Sequence, residues 1–124
     1  MKALSLRQPY ASLIAIGKKT IETRYWATAY RGPLLIVSSK GKVYKDVPYH
    51  GLFNLKLLFG MALAVVELID CRPMKKEDEK SAIISYDPLL FAWVLSDIKK
   101  IKPFPVKGQL KLFEVSNIVA ESDL

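Results

Sequence analysis

The sequence predicts an α+β domain: a small, mixed but mainly antiparallel β-barrel with one to three short helices on its flank. Three observations lead there. The chain has 124 residues, and domains run to about 100–150 residues, so 1–124 is read as a single domain with one core. Five or six short apolar or alternating segments read as strands, and only one segment has a clear helical period. Those strands do not alternate with full-length crossover helices, which argues against a parallel doubly wound sheet, and no glycine-rich phosphate loop is present.

The elements follow in order. Lys2-Ala3-Leu4-Ser5-Leu6 alternates without a breaker and reads as the first strand. Arg7-Gln8-Pro9 changes the geometry, since proline favours a helix start. Tyr10, Leu13 and Ile14 then recur at the i, i+3, i+4 spacing of a short buried helix face, and Gly17 is placed to close it in a left-handed conformation; the helix is expected near 9–16. Thr20 to Trp26 is rich in β-branched and aromatic residues and alternates at period two. Ile21, Thr23 and Tyr25 are expected on the core face, with Thr20, Glu22, Arg24 and Trp26 on the accessible one. Leu34-Leu35-Ile36-Val37 is the continuous apolar run of a strand buried on both faces. Leu52, Leu55, Leu57 and Leu58 are compatible with a short helix. Met61 to Ile69 is the strongest strand, ended by Pro73, and Lys75 to Lys80 reads as a solvated helical turn. Phe91 to Leu95 is a further strand, Pro103 and Pro105 mark a loop, and Leu110 to Val115 supplies the last strand.

Composition narrows the function. Cys71 is the only cysteine and His50 the only histidine, which removes internal disulfides, thiolate zinc sites and His-pair metal centres. No metal or cofactor is expected. No apolar run approaches the length of a transmembrane helix and no secretory leader is evident, so the expected compartment is the cytoplasm and no membrane partner is expected. The formal charge is +7, and it is unevenly spread: residues 1–60 carry ten basic and two acidic groups. Such an excess fits an anionic partner, and it also fits simple solubility.

The segment Gly17-Lys18-Lys19-Thr20-Ile21-Glu22-Thr23-Arg24 is the most informative. Strand alternation sets Glu22 beside Arg24 on the accessible face, where an incidental surface ion pair is worth under about 1 kcal/mol. Lys19 joins them only if the turn after Gly17 breaks the alternation. Backbone N–H groups at the helix start, with Arg7, are a second candidate for an anion, while Gln8 or Ser12 can equally serve as caps. Arg31 is a cation at a strand entrance, and Ser38 and Ser39 stand at that strand's exit. Eight of the thirteen aromatics lie in the basic half; with Tyr10, Trp26 is the favoured base-stacking residue, whereas Trp93 reads as structural. Glu67, an acid in an apolar strand, is either solvated outward or set beside Glu22 for general acid–base work.

Together these pieces resemble a known family. The opening Lys2-Ala3-Leu4-Ser5-Leu6-Arg7-Gln8-Pro9-Tyr10-Ala11, the pattern Gly17-x-Lys19-x-x-Glu22-x-Arg24 with Trp26, and Tyr30-Arg31-Gly32-Pro33-Leu34-Leu35-Ile36 look like the ASCH (activating-signal-cointegrator homology) domain. Asp70-Cys71-Arg72-Pro73-Met74 and Phe91-Ala92-Trp93-Val94-Leu95 strengthen the likeness. The resemblance implies a PUA-like β-barrel and a nucleic-acid-binding role, most of all for RNA, through a basic cleft carrying Lys19, Glu22 and Arg24. The residues expected to contact nucleic acid are Arg7, Gln8, Tyr10, Lys19, Glu22, Arg24, Trp26 and Arg31. A catalytic branch of the family removes acetyl from N4-acetylcytidine with a Lys, a Thr nucleophile and a Glu, and some members are described as ribonucleases. A hydrolase acting on a modified nucleoside or on RNA is therefore the alternative, with Lys19, Glu22 and Thr20 as its residues. This sequence departs from the amidohydrolase pattern by placing Glu22 where the threonine nucleophile would stand.

Overall fold

The computed structural model describes residues 1–44 and 56–116. It is an α+β fold built on one six-stranded sheet, curled into a half-barrel. The strands are β1 (Lys2–Leu6), β2 (Ile21–Arg24), β3 (Gly32–Ser38), β4 (Met61–Pro73), β5 (Phe91–Pro105) and β6 (Leu112–Glu114). Two short helices, α1 (Tyr10–Ala15) and α2 (Glu79–Ala82), accompany them, the second entered through a 3-10 turn over Lys76–Asp78. Spatial order is β2-β5-β4-β3-β1-β6. Only β1 and β3 run parallel, with Ala3 opposite Leu35 and Leu6 opposite Ser38; the other neighbours are antiparallel.

The curl has a local cause. Along the β4–β5 pair the register shifts between Ala62 and Ala64, Val65 and Glu67, and Leu68 and Asp70. Each such irregularity bends the strand and raises its twist. Asp97, next to these shifts, takes a left-handed φ of 48°, a conformation Asp tolerates better than most residues.

Both faces of the sheet are covered. Leu34 and Ile36 point into a cluster with Leu4, Leu6, Val66, Leu68, Trp93 and Leu95, capped by Ala11, Ile14 and Ala15 of α1. Leu35 and Val37 point the other way, against Ala3, Ala62, Ile101 and Phe113. The unbroken apolar run of β3 is thus the expected consequence of burial on two sides. Trp93 is fully buried and belongs to the first cluster.

Two expectations need correction. Pro103 and Pro105 lie within β5 and not in a loop. Strand β2 pairs with β5 from Phe91 to Val94, and the Leu95 N–H bonds the Thr20 carbonyl. Beyond that, among the described residues, no strand pairs with this side of β5, so a missing N–H breaks no ladder there. Tyr25, assigned to the core face, is 67% exposed, because β2 ends at Arg24 and the chain bends there. The proposed helix around Leu52 and Leu55 lies mostly outside the described residues, as does His50.

Candidate nucleic-acid cleft

The two ends of the sheet order approach each other without pairing. β2 lies at one edge and β1 with β6 at the other, and the Arg24 guanidinium crosses the gap, its Nη2 donating to the Ser5 carbonyl at 2.8 Å. A cleft of about 680 Å³ occupies this seam. Ser5, Leu6 and Arg7 of the β1 exit line one side, and Glu22 to Trp26 line the other. Tyr10, Lys19, Ser39 and Tyr44 also line it, as do Gln109, Leu110 and Lys111 from the segment before β6.

The cleft is organised around Lys19. Gly17 takes φ +80° just after α1, and the N–H groups of Lys18 and Lys19 both turn back to the Leu13 carbonyl. This left-handed closure breaks the strand alternation that would otherwise send Lys19 away from Glu22. The Lys19 side chain is 1% exposed. Its ammonium donates to the Ala82 carbonyl, one of the carbonyls left without a helical partner at the end of α2. It also lies 3.5 Å from Glu22 Oε1 and 4.7 Å from the centre of the Tyr10 ring. Burial pushes the Lys19 ammonium below its ordinary value of 10.5, the nearby Glu22 opposes this, and Arg24 adds to it. Tyr10 moves the other way: burial and the Glu22 carboxylate both raise its phenol.

Glu22 is buried and links the two cations, with Oε2 accepting from Arg24 Nε at 3.0 Å. Spacing alone reads the Glu22–Arg24 pair as an incidental surface contact, and the family resemblance places it in a cleft. It is one side of a Lys–Glu–Arg triad whose lysine and glutamate are buried and whose arginine is partly exposed. Around it the lining carries Arg7 and Lys111 as further cations, and among the described residues Glu22 is the only acid in the lining. The aromatic wall is interlocked. Tyr10 and Tyr44 lie with centroids 5.3 Å apart, Arg7 sits 5.5 Å over the Tyr44 ring, and Trp26 meets Trp93 edge-on at 4.8 Å.

Arg7, Tyr10, Lys19, Glu22, Arg24 and Trp26 thus come together in one cleft, while three other expected site residues do not. Gln8 is fully buried, its amide donating to Ser12 Oγ and the Leu58 carbonyl and its oxygen accepting from the Ser12 N–H. It caps α1 from within, and with the Tyr10 N–H held by the Arg7 carbonyl, the helix start is largely taken up by the protein itself. Arg31 bonds the carbonyls of Thr28 and Tyr30 and faces Asp70 at 3.7 Å, away from the lining. Thr20 has its backbone held by Ser81 and Leu95 and does not line the cleft. Glu67 stands opposite Pro33 and Ser96, whereas Glu22 stands opposite Trp93, so the two carboxylates do not form a pair. Of the two serines, Ser38 is buried against the Met61 backbone and Ser39 reaches the cleft.

Tyr44, Leu110, Lys111 and the Ala82 carbonyl were not singled out by sequence. Tyr44 and Lys111 carried only a generic aromatic or basic signal, and no residue type marks a backbone carbonyl as an acceptor.

Comparison with known proteins agrees with this architecture. The ASCH domain family model matches residues 4–105. The chain belongs to the ASCH domain family. Activating signal cointegrator 1 of Homo sapiens is 31% identical over 129 residues, and that of Mus musculus 30% identical over 132 residues. In both cases the match covers 92% of this chain and 22% of the relative, so the ASCH domain chain spans under a quarter of those curated relatives. The crystal structure of ASCH from Zymomonas mobilis superposes with a TM-score of 0.66 at 15% identity, covering 98% of this chain and 91% of that one. A tyrosine-to-phenylalanine mutant of that Zymomonas mobilis protein gives the same TM-score of 0.66 at 14% identity, covering 97% and 93%. At such identity the likeness concerns the fold alone. Among the described residues no helix is long and apolar enough to cross a membrane.

Proposed function

We propose that this ASCH domain, acting as one unit, binds RNA by taking an unpaired nucleotide into the seam between β2 and β1. The observation that carries the reading is the coincidence, in one cleft, of exposed cations with aromatic rings over a Lys–Glu–Arg triad whose lysine and glutamate are buried. Arg7 and Lys111 attract phosphates. Tyr10, Tyr44 and Trp26 supply ring surface for an unstacked base. Glu22 accepts from a base amine while Arg24 donates to a neighbouring acceptor, a pairing that polar base edges satisfy. A depth sufficient to reach Lys19 favours an unpaired base over a duplex, whose base edges stay within the stack.

The test is fluorescence anisotropy with labelled single-stranded RNA, tRNA and duplex across a salt series. Single-stranded RNA is expected to bind with log K falling in log salt, each phosphate contact contributing a slope of about −0.7. Arg7→Ala and Lys111→Ala alter exposed side chains, and each is expected to weaken binding and flatten the slope while leaving the fold intact. Absent binding, or binding indifferent to salt, refutes the reading.

One observation favours a second reading. Lys19 is a buried amine with a lowered pKa beside a carboxylate, which is how a lysine is tuned toward general-base work. On that reading the domain is a hydrolase acting on a modified nucleoside such as N4-acetylcytidine, or on RNA. Because Thr20 does not line the cleft, such a hydrolase would use water or the Thr23 hydroxyl, which does. Incubation with N4-acetylcytidine and with labelled RNA decides it: turnover lost in Lys19→Met supports the enzyme, and no turnover with either substrate rejects it.

A further inference from the structure

Tyr25 is unlike the other aromatic residues of the cleft. Tyr10 has Lys19 over its ring and Tyr44 beside it, Tyr44 also carries Arg7, and Trp26 packs on Trp93. Tyr25 lines the same cleft yet remains 67% exposed, and among the described residues no aromatic ring packs on it. It is nevertheless held in place. Its hydroxyl donates to Asp87 Oδ2 at 3.0 Å, and the other oxygen of Asp87 accepts from the Leu89 N–H at 2.9 Å, which fixes the carboxylate in turn. At its other end the ring leaves the chain at the bend that follows β2, next to Arg24. A planar ring tethered at both ends and open to solvent has already lost the rotamer freedom that binding would otherwise cost.

We infer that Tyr25 is a stacking platform at the cleft mouth for the base adjoining the one inside, so that the ligand is single-stranded RNA of at least two consecutive nucleotides and not a free nucleoside. The inference rests on the RNA-binding reading above and adds to it a subsite and a minimum ligand. The phosphate between the two nucleotides then lies in the positive region set by Arg7, Arg24 and Lys111, while Tyr25 serves the flanking base whatever its identity, because every base offers a π face.

The experiment compares a mixed-sequence RNA pentanucleotide with the four 5′-mononucleotides, using the unaltered protein, Tyr25→Ala and Tyr25→Phe. Tyr25→Ala is expected to weaken pentanucleotide binding on the order of tenfold, the usual effect of losing one base–aromatic stack, with mononucleotide binding unchanged. Tyr25→Phe keeps the ring and retains pentanucleotide affinity to within about threefold, since only the tether is lost. Pentanucleotides carrying 2-aminopurine at each position in turn should show quenching at one flanking position that disappears in Tyr25→Ala. Thermal unfolding of Tyr25→Ala checks that the fold persists. Undiminished pentanucleotide affinity in Tyr25→Ala, or an equal loss for mononucleotides, overturns the inference while leaving the RNA-binding reading standing. Failure of the unaltered protein to bind the pentanucleotide overturns both.

Discussion

Glu22→Gln removes one charge and almost no volume from the buried triad, and the structure sets the size of the effect. Lys19 at 1% side-chain exposure cannot recover water, and its remaining partners among the described residues are the Ala82 carbonyl and the Tyr10 ring. Opposite unit charges at the observed 3.5 Å attract by roughly 5 kcal/mol at an effective dielectric of about 20, which bounds what Lys19 loses. Arg24 is 24% exposed and still bonds the Ser5 carbonyl, so it rehydrates and loses less. Breaking a buried pair from one side costs about 3–5 kcal/mol, and that is the expected destabilisation at neutral pH. For a chain of this length it lowers Tm by roughly 10–20 °C.

The pH dependence gives an independent check. The folded-state pKa of Lys19 is already below 10.5. Between that depressed value and 10.5 the unfolded chain holds more protons, so stability rises with pH across the window and levels off above it. Glu22→Gln removes the main influence that keeps Lys19 charged, so the rise should begin at lower pH and be larger. In the double variant Lys19→Met, Glu22→Gln the rise from this site disappears, and most of the lost stability returns because no buried charge remains unpaired. Urea unfolding at several pH values measures all of this. A Glu22→Gln protein within about 0.5 kcal/mol of the unaltered one, with the same pH profile, would refute the reasoning, since that is the range of ordinary surface substitutions.

Two further predictions concern the supports of the triad. Asp78 accepts from Arg72 Nη1 at 2.7 Å and Nη2 at 3.0 Å and from the Lys75 N–H at 2.8 Å, which anchors α2 and with it the Ala82 carbonyl. The Arg72 hydrogen bonds hold the Asp78 carboxyl below its ordinary value of 3.8, so its contribution is complete above that pH and is lost as pH falls through the lowered folded value. Asp78→Asn is expected to cost about 1–3 kcal/mol in chemical denaturation at neutral pH and to make stability less acid-sensitive. Gly17→Ala meets no atom within 4 Å, so its cost comes from the backbone alone: φ +80° disfavours any Cβ, and about 1 kcal/mol should be lost in the same assay. An unchanged midpoint would mean that the turn adjusts freely and does not hold Lys19.

Sequence determined the parts of this protein that depend on local pattern. The run Leu34 to Val37, the alternation of β1 and the strand from Met61 were legible because burial imposes a period on the chain itself. So was Gly17 as the close of α1, and so was the family, because Gly17-x-Lys19-x-x-Glu22-x-Arg24 stands together with the Arg7-Gln8-Pro9 opening and the run Arg31-Gly32-Pro33-Leu34-Leu35-Ile36. Tertiary structure decided what each of those residues meets. Glu22 reads as a surface acid in sequence and is buried only because the curled sheet brings β1 to face β2 without pairing to it. Gln8 turns inward to cap α1 against Leu58, some fifty residues away along the chain. Tyr25 points to solvent because β2 stops one residue before it, a boundary set by the extent of pairing with β5 and not by side-chain period. Whether a charged side chain becomes a solvated surface group or part of a buried site depends on desolvation by distant segments, and local spacing carries no record of that.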